Sequence, residues 1–476
     1  MKKAYLWMLS AILTVGGTSV FTSCGSDDDT PAVEKSEAVQ NRDAFIEHTR
    51  ATVKAMAENL NFESWETANN VNLYFNQYVL NNKDFESSLA GSIIHMMASS
   101  VKDAEEGSDL AAQGVTRYID FDLANFKYRF TMSDNNKDFD SEPADELEII
   151  LNGYNPQTKQ LESGIYKVAL KMVGVGQKRV IRIQGDEDLA VVLTLPNELQ
   201  FALGSKVSGS WHNEFTGTIS YKLPEGAVDN SKGFTAEAKI NSDILATEGK
   251  KGDKTQLTLN ITSDREKGKA EVLSSWTQND RKMLELSLKE SGENMGGISN
   301  LDMSQFESSS SIFEVIGSIL GTRSIDEAKV TLLDDLTCTF SISNLQKLLE
   351  VENQYRTDGR NYADKQTIDE YTKKLNELVK AEMYCKGTNQ TIPMRLTTTP
   401  VGIDYWAIYE LDFGENEYVN LLAMLDRKTF AYVLNIVDHA TDHAQQSAIV
   451  VRQLLEFALQ FHDKLDKLAE SLEGND

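Results

Sequence analysis

Two stretches of this chain space polar side chains as a metal ion would need them. From Asp134 to Asp145 the sequence reads Asp-Asn-Asn-Lys-Asp-Phe-Asp-Ser-Glu-Pro-Ala-Asp, setting Asp134, Asn136, Asp138, Asp140 and Asp145 along one acidic loop. Calcium takes six to eight hard oxygens on a flexible loop, so this is the best candidate for an ion site. Phe139 stands where an EF-hand loop needs glycine and Asp145 replaces its bidentate glutamate, so a calcium site here would be of another kind. A solvated hairpin tip braced by Asx turns is the competing reading. His439 and His443 lie four apart beside Asp438 and Asp442, and on a helix both imidazoles would face one ion. Zinc hydrolases usually carry a glutamate directly after the first histidine; Ala440 stands there, and a capped helix start explains the same residues.

Nucleophile signals are thinner. No Gly-x-Ser-x-Gly elbow occurs, and Ser99-Ser-Val-Lys102 with Ser133-Asp134-Asn135 supplies two motifs of the penicillin-binding enzymes without their Lys-Thr-Gly. Gly174-Val-Gly176 falls between strand-like runs, not before a helix, so it is no phosphate loop. Cys338 and Cys385 could oxidise outside the cytoplasm, closing a loop worth roughly 4 kcal/mol on the chain-entropy model, or stay as buried free thiols. Trp211, Trp276 and Trp406 could stack on sugar rings or anchor a core. A glycosidase needs two facing carboxylates, and 73 acidic residues offer too many pairs for the sequence to select one.

The elements that must position these groups follow from hydrophobic period. Ile46, Thr49, Val53, Met56 and Leu60 form one helical stripe, and Phe85, Leu89, Ile93 and Met97 another, placing helices within 42–113. From about 114 to 291 the period falls to two, as in Tyr166, Val168, Leu170 and Met172, with turn signals between runs. That predicts a large antiparallel β-meander covered by the preceding helices. Residues 292–325, rich in Gly and Ser, read as a linker to a smaller α+β segment over 326–476. In that segment a strand at Val330–Phe340, helices at Asn344–Tyr355 and Ala363–Met383, and strands near Thr391–Thr398, Ile403–Phe413, Tyr418–Leu425 and Phe430–Val437 are expected. It ends in a long amphipathic helix bearing Val451, Leu454, Ala458, Phe461, Leu465, Leu468 and Leu472. The expected fold class is therefore α+β.

Composition narrows the partners. The formal charge is −26, and removing residues 1–23 takes away Lys2 and Lys3 and makes it −28. Such a surface disfavours nucleic acid and anionic headgroups. Lys2 and Lys3 precede a short apolar run at Ala4–Val15, and Phe21-Thr22-Ser23-Cys24 closes it with small residues before a cysteine, which is the pattern of an export signal. Residues 1–30 resemble the lipobox region of bacterial lipoproteins, and more narrowly the surface lipoproteins of the Bacteroidota, in which an acidic run such as Ser26-Asp27-Asp28-Asp29 follows the cysteine. The resemblance implies cleavage of 1–23, a diacylglycerol with palmitate-type chains on Cys24, and a flexible tether over 24–41. It also implies an outer-membrane, cell-surface protein held to the membrane through its lipid. The body then reads as a non-catalytic binding protein for a glycan, a lipid or an envelope protein, with possible calcium as the one ion the sequence suggests. The alternative is a polymer-degrading hydrolase using a carboxylate pair or an Asp/His metal site.

Overall fold

The computed structural model describes residues 36–59, 78–79, 82–155, 158, 160–176, 178–182, 189–225, 232–246, 252–292, 324–357, 364–401 and 404–424. In chain order the main elements begin with helices α1 (Glu37–Asn59) and α2 (Lys83–Ala98). Strands β1 (Val101–Asp103), β2 (Arg117–Asp122), β3 (Tyr128–Met132), β4 (Phe139–Pro143), β5 (Leu147–Tyr154) and β6 (Leu161–Val173) follow. Then come β7 (Lys178–Arg182), β8 (Leu189–Thr194), β9 (Glu198–Val207), β10 (Ser210–Lys222), β11 (Gly233–Ile244), β12 (Asp253–Asp264), β13 (Lys269–Gln278) and β14 (Arg281–Ser291). The remainder comprises β15 (Ser324–Leu332), β16 (Leu336–Ile342), α3 (Leu345–Thr357), α4 (Lys365–Leu378), β17 (Val379–Cys385), β18 (Gln390–Val401), β19 (Asp404–Asp412) and β20 (Tyr418–Asn420).

The chain forms two compact units: one gathers Met1–Leu60, Asn230–Gly233 and Leu259–Gln445, the other Asn61–Asp229, Phe234–Thr258 and Gln446–Asp476. In the second unit α2 lays a stripe at three-four spacing, Phe85, Leu89, Ile93 and Met97, into a core with Ile119, Phe121, Phe130, Met132, Ile149 and Leu151. Asn82 caps this helix by accepting from the amides of Asp84 and Phe85, and Phe85 packs edge-on to Phe130 at 5.4 Å and Phe139 at 5.1 Å. Met96 packs against the same core. The strands here run β4-β3-β5-β6-β9-β10-β11, beside a small sheet ordered β1-β2-β8-β7.

In the other unit α1 buries Phe45, Thr49, Thr52, Val53 and Met56, with Phe45 edge-on to Phe413 at 5.6 Å and Arg42 paired to Glu417 at 2.5 Å. Its strands follow sequence order from β13 to β20, and α4 turns Ile368, Tyr371 and Leu375 inward.

The α+β expectation is corrected: 54% of the described residues are in strands and 24% in helices, and the main ladder has 16 strands. Sheet, not a helix-and-sheet layer pair, organises the chain. The meander is not purely antiparallel, since β2 with β8 and β3 with β5 pair in parallel. The expected linker is no boundary in the ladder, because β14 and β15 on either side of it pair from Leu284 with Leu332 to Ser291 with Ser324. Val330–Phe340 is not one strand but a hairpin, reversed by Leu333 and Asp334 at φ 52° and 57°. Two left-handed residues make the tight turn that matches strand twist, and without glycine this one carries no obvious sequence mark. The helix expected to reach Met383 stops at Leu378, after which Val379–Cys385 pairs with β16. The strand at Phe430–Val437, the final amphipathic helix, His439 and His443 lie outside the described residues.

Candidate functional site

The sequence-expected calcium loop is the tip joining β3 to β4, and the fold spends its oxygens internally. Asn135 accepts from the Ser133 hydroxyl at 2.6 Å and the Lys137 amide at 2.8 Å, and donates to the Asp138 carboxylate at 2.6 Å. Asp134 accepts from Ser163 at 2.6 Å, and Asn136, in the left-handed region at φ 59°, accepts from Asn152 at 2.9 Å. Asp140 sits exposed within β4, and Asp145 is exposed beyond its end. No three of the carboxylates Asp134, Asp138, Asp140 and Asp145 come together among the described residues, and the tip is braced by Asx bonds. Ser99 likewise caps the end of α2 by donating to the Met96 carbonyl at 2.7 Å, while Lys102 pairs with Asp120. Cys24 and Ser26 to Asp29 lie outside the described residues.

Cys338 and Cys385 are both free and buried. The register explains why: Cys338 faces Met383 and Cys385 faces Leu336, so the two thiols are diagonal neighbours on β16 and β17. Diagonal positions stand about 7–8 Å apart, beyond the reach of a disulfide. Burial pushes the Cys338 thiol up to about 12.

Cys385 instead meets residues that no sequence spacing links to it. Its sulfur, a His48 ring nitrogen and an Asp335 carboxylate oxygen all lie within 4.8 Å of one another, the only such group of three or more His, Cys, Asp or Glu among the described residues. His48 Nε2 is 2.8 Å from Asp335 Oδ2. The Thr52 hydroxyl donates to the same oxygen at 2.5 Å, and the Gly387 amide donates to Oδ1 at 3.1 Å. Burial pushes the Asp335 carboxyl up, but the bonds from Thr52, His48 and Gly387 outweigh it and hold it below its ordinary value. A Cβ at position 387 would lie 2.1 Å from the His48 ring, so only glycine lets the turn pass beneath the imidazole.

A second arrangement lies on the polar face of the sheet formed by β5, β6, β9, β10 and β11. The pairings Ala169 with Ala202, Gln200 with Thr218 and Lys239 with Thr218 put small and polar side chains on one face. They floor a concavity of about 400 Å³ edged by Glu146, Lys171, Lys239 and Asn241. Further along this face Trp211, 36% exposed, has two ammonium groups near its ring: Lys206 Nζ at 5.2 Å and Lys167 Nζ at 5.3 Å from the centroid. Gly204 keeps that end flat, since a Cβ there would stand 2.4 Å from the His212 carbonyl. Glu148 on the same face is held by Arg129 at 2.6 Å and Lys167 at 3.5 Å. Among the described residues no carboxylate pairs with Lys171, Lys206 or Lys239. Trp276, by contrast, is a core residue at 4% exposure, and the side chain of Trp406 lies outside the described set.

Two carboxyls are buried away from this face. Burial pushes Glu214 up while the Ser205 hydroxyl, at 2.7 Å, draws it back. Burial, with the charge of Asp326 adding to it, pushes Glu290 up to about 8, and its Oε2 has no hydrogen-bond partner.

No protein-family model matches the chain, and neither does any curated protein. Among solved structures, one described as a porin-like protein from Bacteroides vulgatus ATCC 8482 is similar over 63% of this chain and 96% of that one, at 9% identity and a TM-score of 0.15. A likeness of that size carries no argument about this chain.

Proposed function

We propose that the protein is an envelope lipoprotein, anchored by a lipid on Cys24, whose polar sheet face binds an acidic polysaccharide. The anchor and outer-surface location rest on the lipobox-like Phe21–Cys24 and the acidic run Ser26–Asp29. The observation that carries the ligand is the exposed Trp211 ring with Lys167 and Lys206 beside it, on the same face as the concavity edged by Lys171 and Lys239. A flat indole stacks on the apolar face of a sugar ring, and Lys171, Lys206 and Lys239, which have no carboxylate partner among the described residues, attract a carboxylated or sulfated chain to a protein of formal charge −26. An open face suits an extended polymer better than a small, enclosed ligand.

Hydrolysis is the weaker reading on geometry. A glycosidase sets two carboxyls about 5–10 Å apart across the scissile bond. The concavity is lined by a single acidic side chain, Glu146, and the neighbouring Glu148 is already engaged by Arg129 and Lys167.

Calorimetric titration with polygalacturonate, heparin and neutral dextran tests the assignment. Binding of at least one acidic polymer, not of dextran, is expected, and Trp211→Ala should weaken it roughly tenfold, about 1.4 kcal/mol. Lys206→Gln should lower affinity and flatten its dependence on salt. Binding of the acidic polymers that is indifferent to both substitutions, or no binding at all, overturns the reading.

A further inference from the structure

We propose that His48, Asp335 and Cys385 are the protein ligands of a site for a thiophilic divalent metal ion, with zinc the best chemical match. Zinc takes thiolate, imidazole and carboxylate at about 2.0–2.3 Å, so ligand atoms on a tetrahedral ion stand roughly 3.3–3.7 Å apart. The three donor atoms lie within 4.8 Å of one another, so side-chain movements of about 1 Å bring them to that spacing. Only the 2.8 Å approach of His48 Nε2 to Asp335 Oδ2 is too close, and it opens when an ion takes the place of the shared proton.

The surroundings are those of a held site rather than a chance meeting. The ligands come from α1, from the turn between β15 and β16, and from the end of β17, so the unit must fold before they meet. Both oxygens of Asp335 already have orienting donors, Thr52 on Oδ2 and the Gly387 amide on Oδ1, as ligating carboxylates generally do. Gly387 admits the imidazole where any side chain would displace it.

A cysteine beside a His–Asp pair also suggests a nucleophile, but Cys385 is fully buried at 0% exposure, out of reach of a substrate carbonyl. A small ion can enter from the His48 side, where that side chain is 37% exposed. On binding, the thiol proton of Cys385 leaves to solvent and the proton between His48 Nε2 and Asp335 passes to solvent or to His48 Nδ1, so the sulfur coordinates as thiolate, the imidazole through a free lone pair, and affinity rises with pH.

Cobalt titration of the full, reduced, chelator-treated chain decides the matter. The expected result is a near-ultraviolet thiolate-to-cobalt band saturating at one equivalent, displaced by zinc, and a melting temperature raised by zinc and lowered by chelator. Cys385→Ser should abolish the band, His48→Asn should weaken binding about 10–100-fold, and Cys338→Ser should leave the band unchanged. Absence of a sulfur band, or its survival in Cys385→Ser, overturns the proposal. If Cys385→Ser does not fold, an unaltered affinity in the half-exposed His48→Asn variant overturns it equally.

Discussion

Two acidic hairpin tips in this protein have opposite fates. At the β3–β4 tip, Asn135 donates to the Asp138 carboxylate and accepts from the amides of Lys137 and Asp138, two and three residues on. At the β15–β16 tip, Asp335 is bonded to Thr52 and His48, 283 and 287 residues earlier in the chain. The first tip is rich in acid, and its turn is held by bonds among its own residues, with Asn152 and Ser163 from β5 and β6 adding to them. The second has two carboxylates, Asp334 and Asp335, whose partners, Lys282 and Lys386 for one and Thr52 and His48 for the other, arrive only with the tertiary fold. Density of polar residues in sequence thus goes with local bracing here, whereas the His48–Asp335–Cys385 group is assembled across distance.

The contrast is broken or sharpened most strongly at Asp335. Asp335→Ala removes one carboxylate and leaves Thr52, His48 and the Gly387 amide without their acceptor. Charge-assisted bonds contribute about 1.5–3 kcal/mol each when lost singly and do not add fully, so a loss of about 3 kcal/mol in urea unfolding is expected. A loss below about 1 kcal/mol would mean that the second tip is as dispensable as the first. Thr52→Val, which keeps the helix and the volume, should show a smaller part of the same loss.

Glu290 gives the next largest effect, with a sign opposite to the usual acidic group. Its folded value is raised to about 8, above the unfolded one, because burial penalises its charge. Its favourable contribution is therefore fully present below the unfolded pKa, near 4.3, and is lost as pH rises through about 8. Glu290→Gln should remove that slope and be more stable than the parent at pH 8 by on the order of 3 kcal/mol. Equal slopes for the two proteins between pH 5 and 8 would show that Glu290 is solvated in the native state.

Much of the fold was legible because period alone encodes it. The stripe Phe85, Leu89, Ile93 and Met97 is the buried face of α2, and the alternation of Tyr166 to Met172 lies in β6. What failed were turns and joins. Leu333 and Asp334 reverse the chain through left-handed backbone without a glycine, and the last residues of the expected helix before Met383 pair with β16 because that edge is available. Of the candidate sites, Trp211 was among the aromatics singled out, but its two lysine neighbours follow from strand register. His48, Asp335 and Gly387 carry no spacing signal at all. The one hint toward Cys385 was its being a cysteine; of the two states the sequence allowed, a disulfide with Cys338 or a buried free thiol, the structure has the free thiol.

The smallest expected effect is at the first tip. The Asp138 carboxylate is exposed and accepts from Asn135, whose own oxygen is fixed independently by Ser133 and the Lys137 amide. Asp138→Ala should therefore cost no more than about 0.5 kcal/mol. Asn135→Ala removes the acceptor that organises the turn and should cost about 1 kcal/mol. Because these groups already satisfy one another, calcium would have to break the internal bonds before gaining ligands, and millimolar calcium should leave the melting temperature of the parent unchanged. A calcium-dependent rise that disappears in Asp134→Ala with Asp138→Ala would reverse the comparison, making the self-bonded tip the resting form of an ion loop.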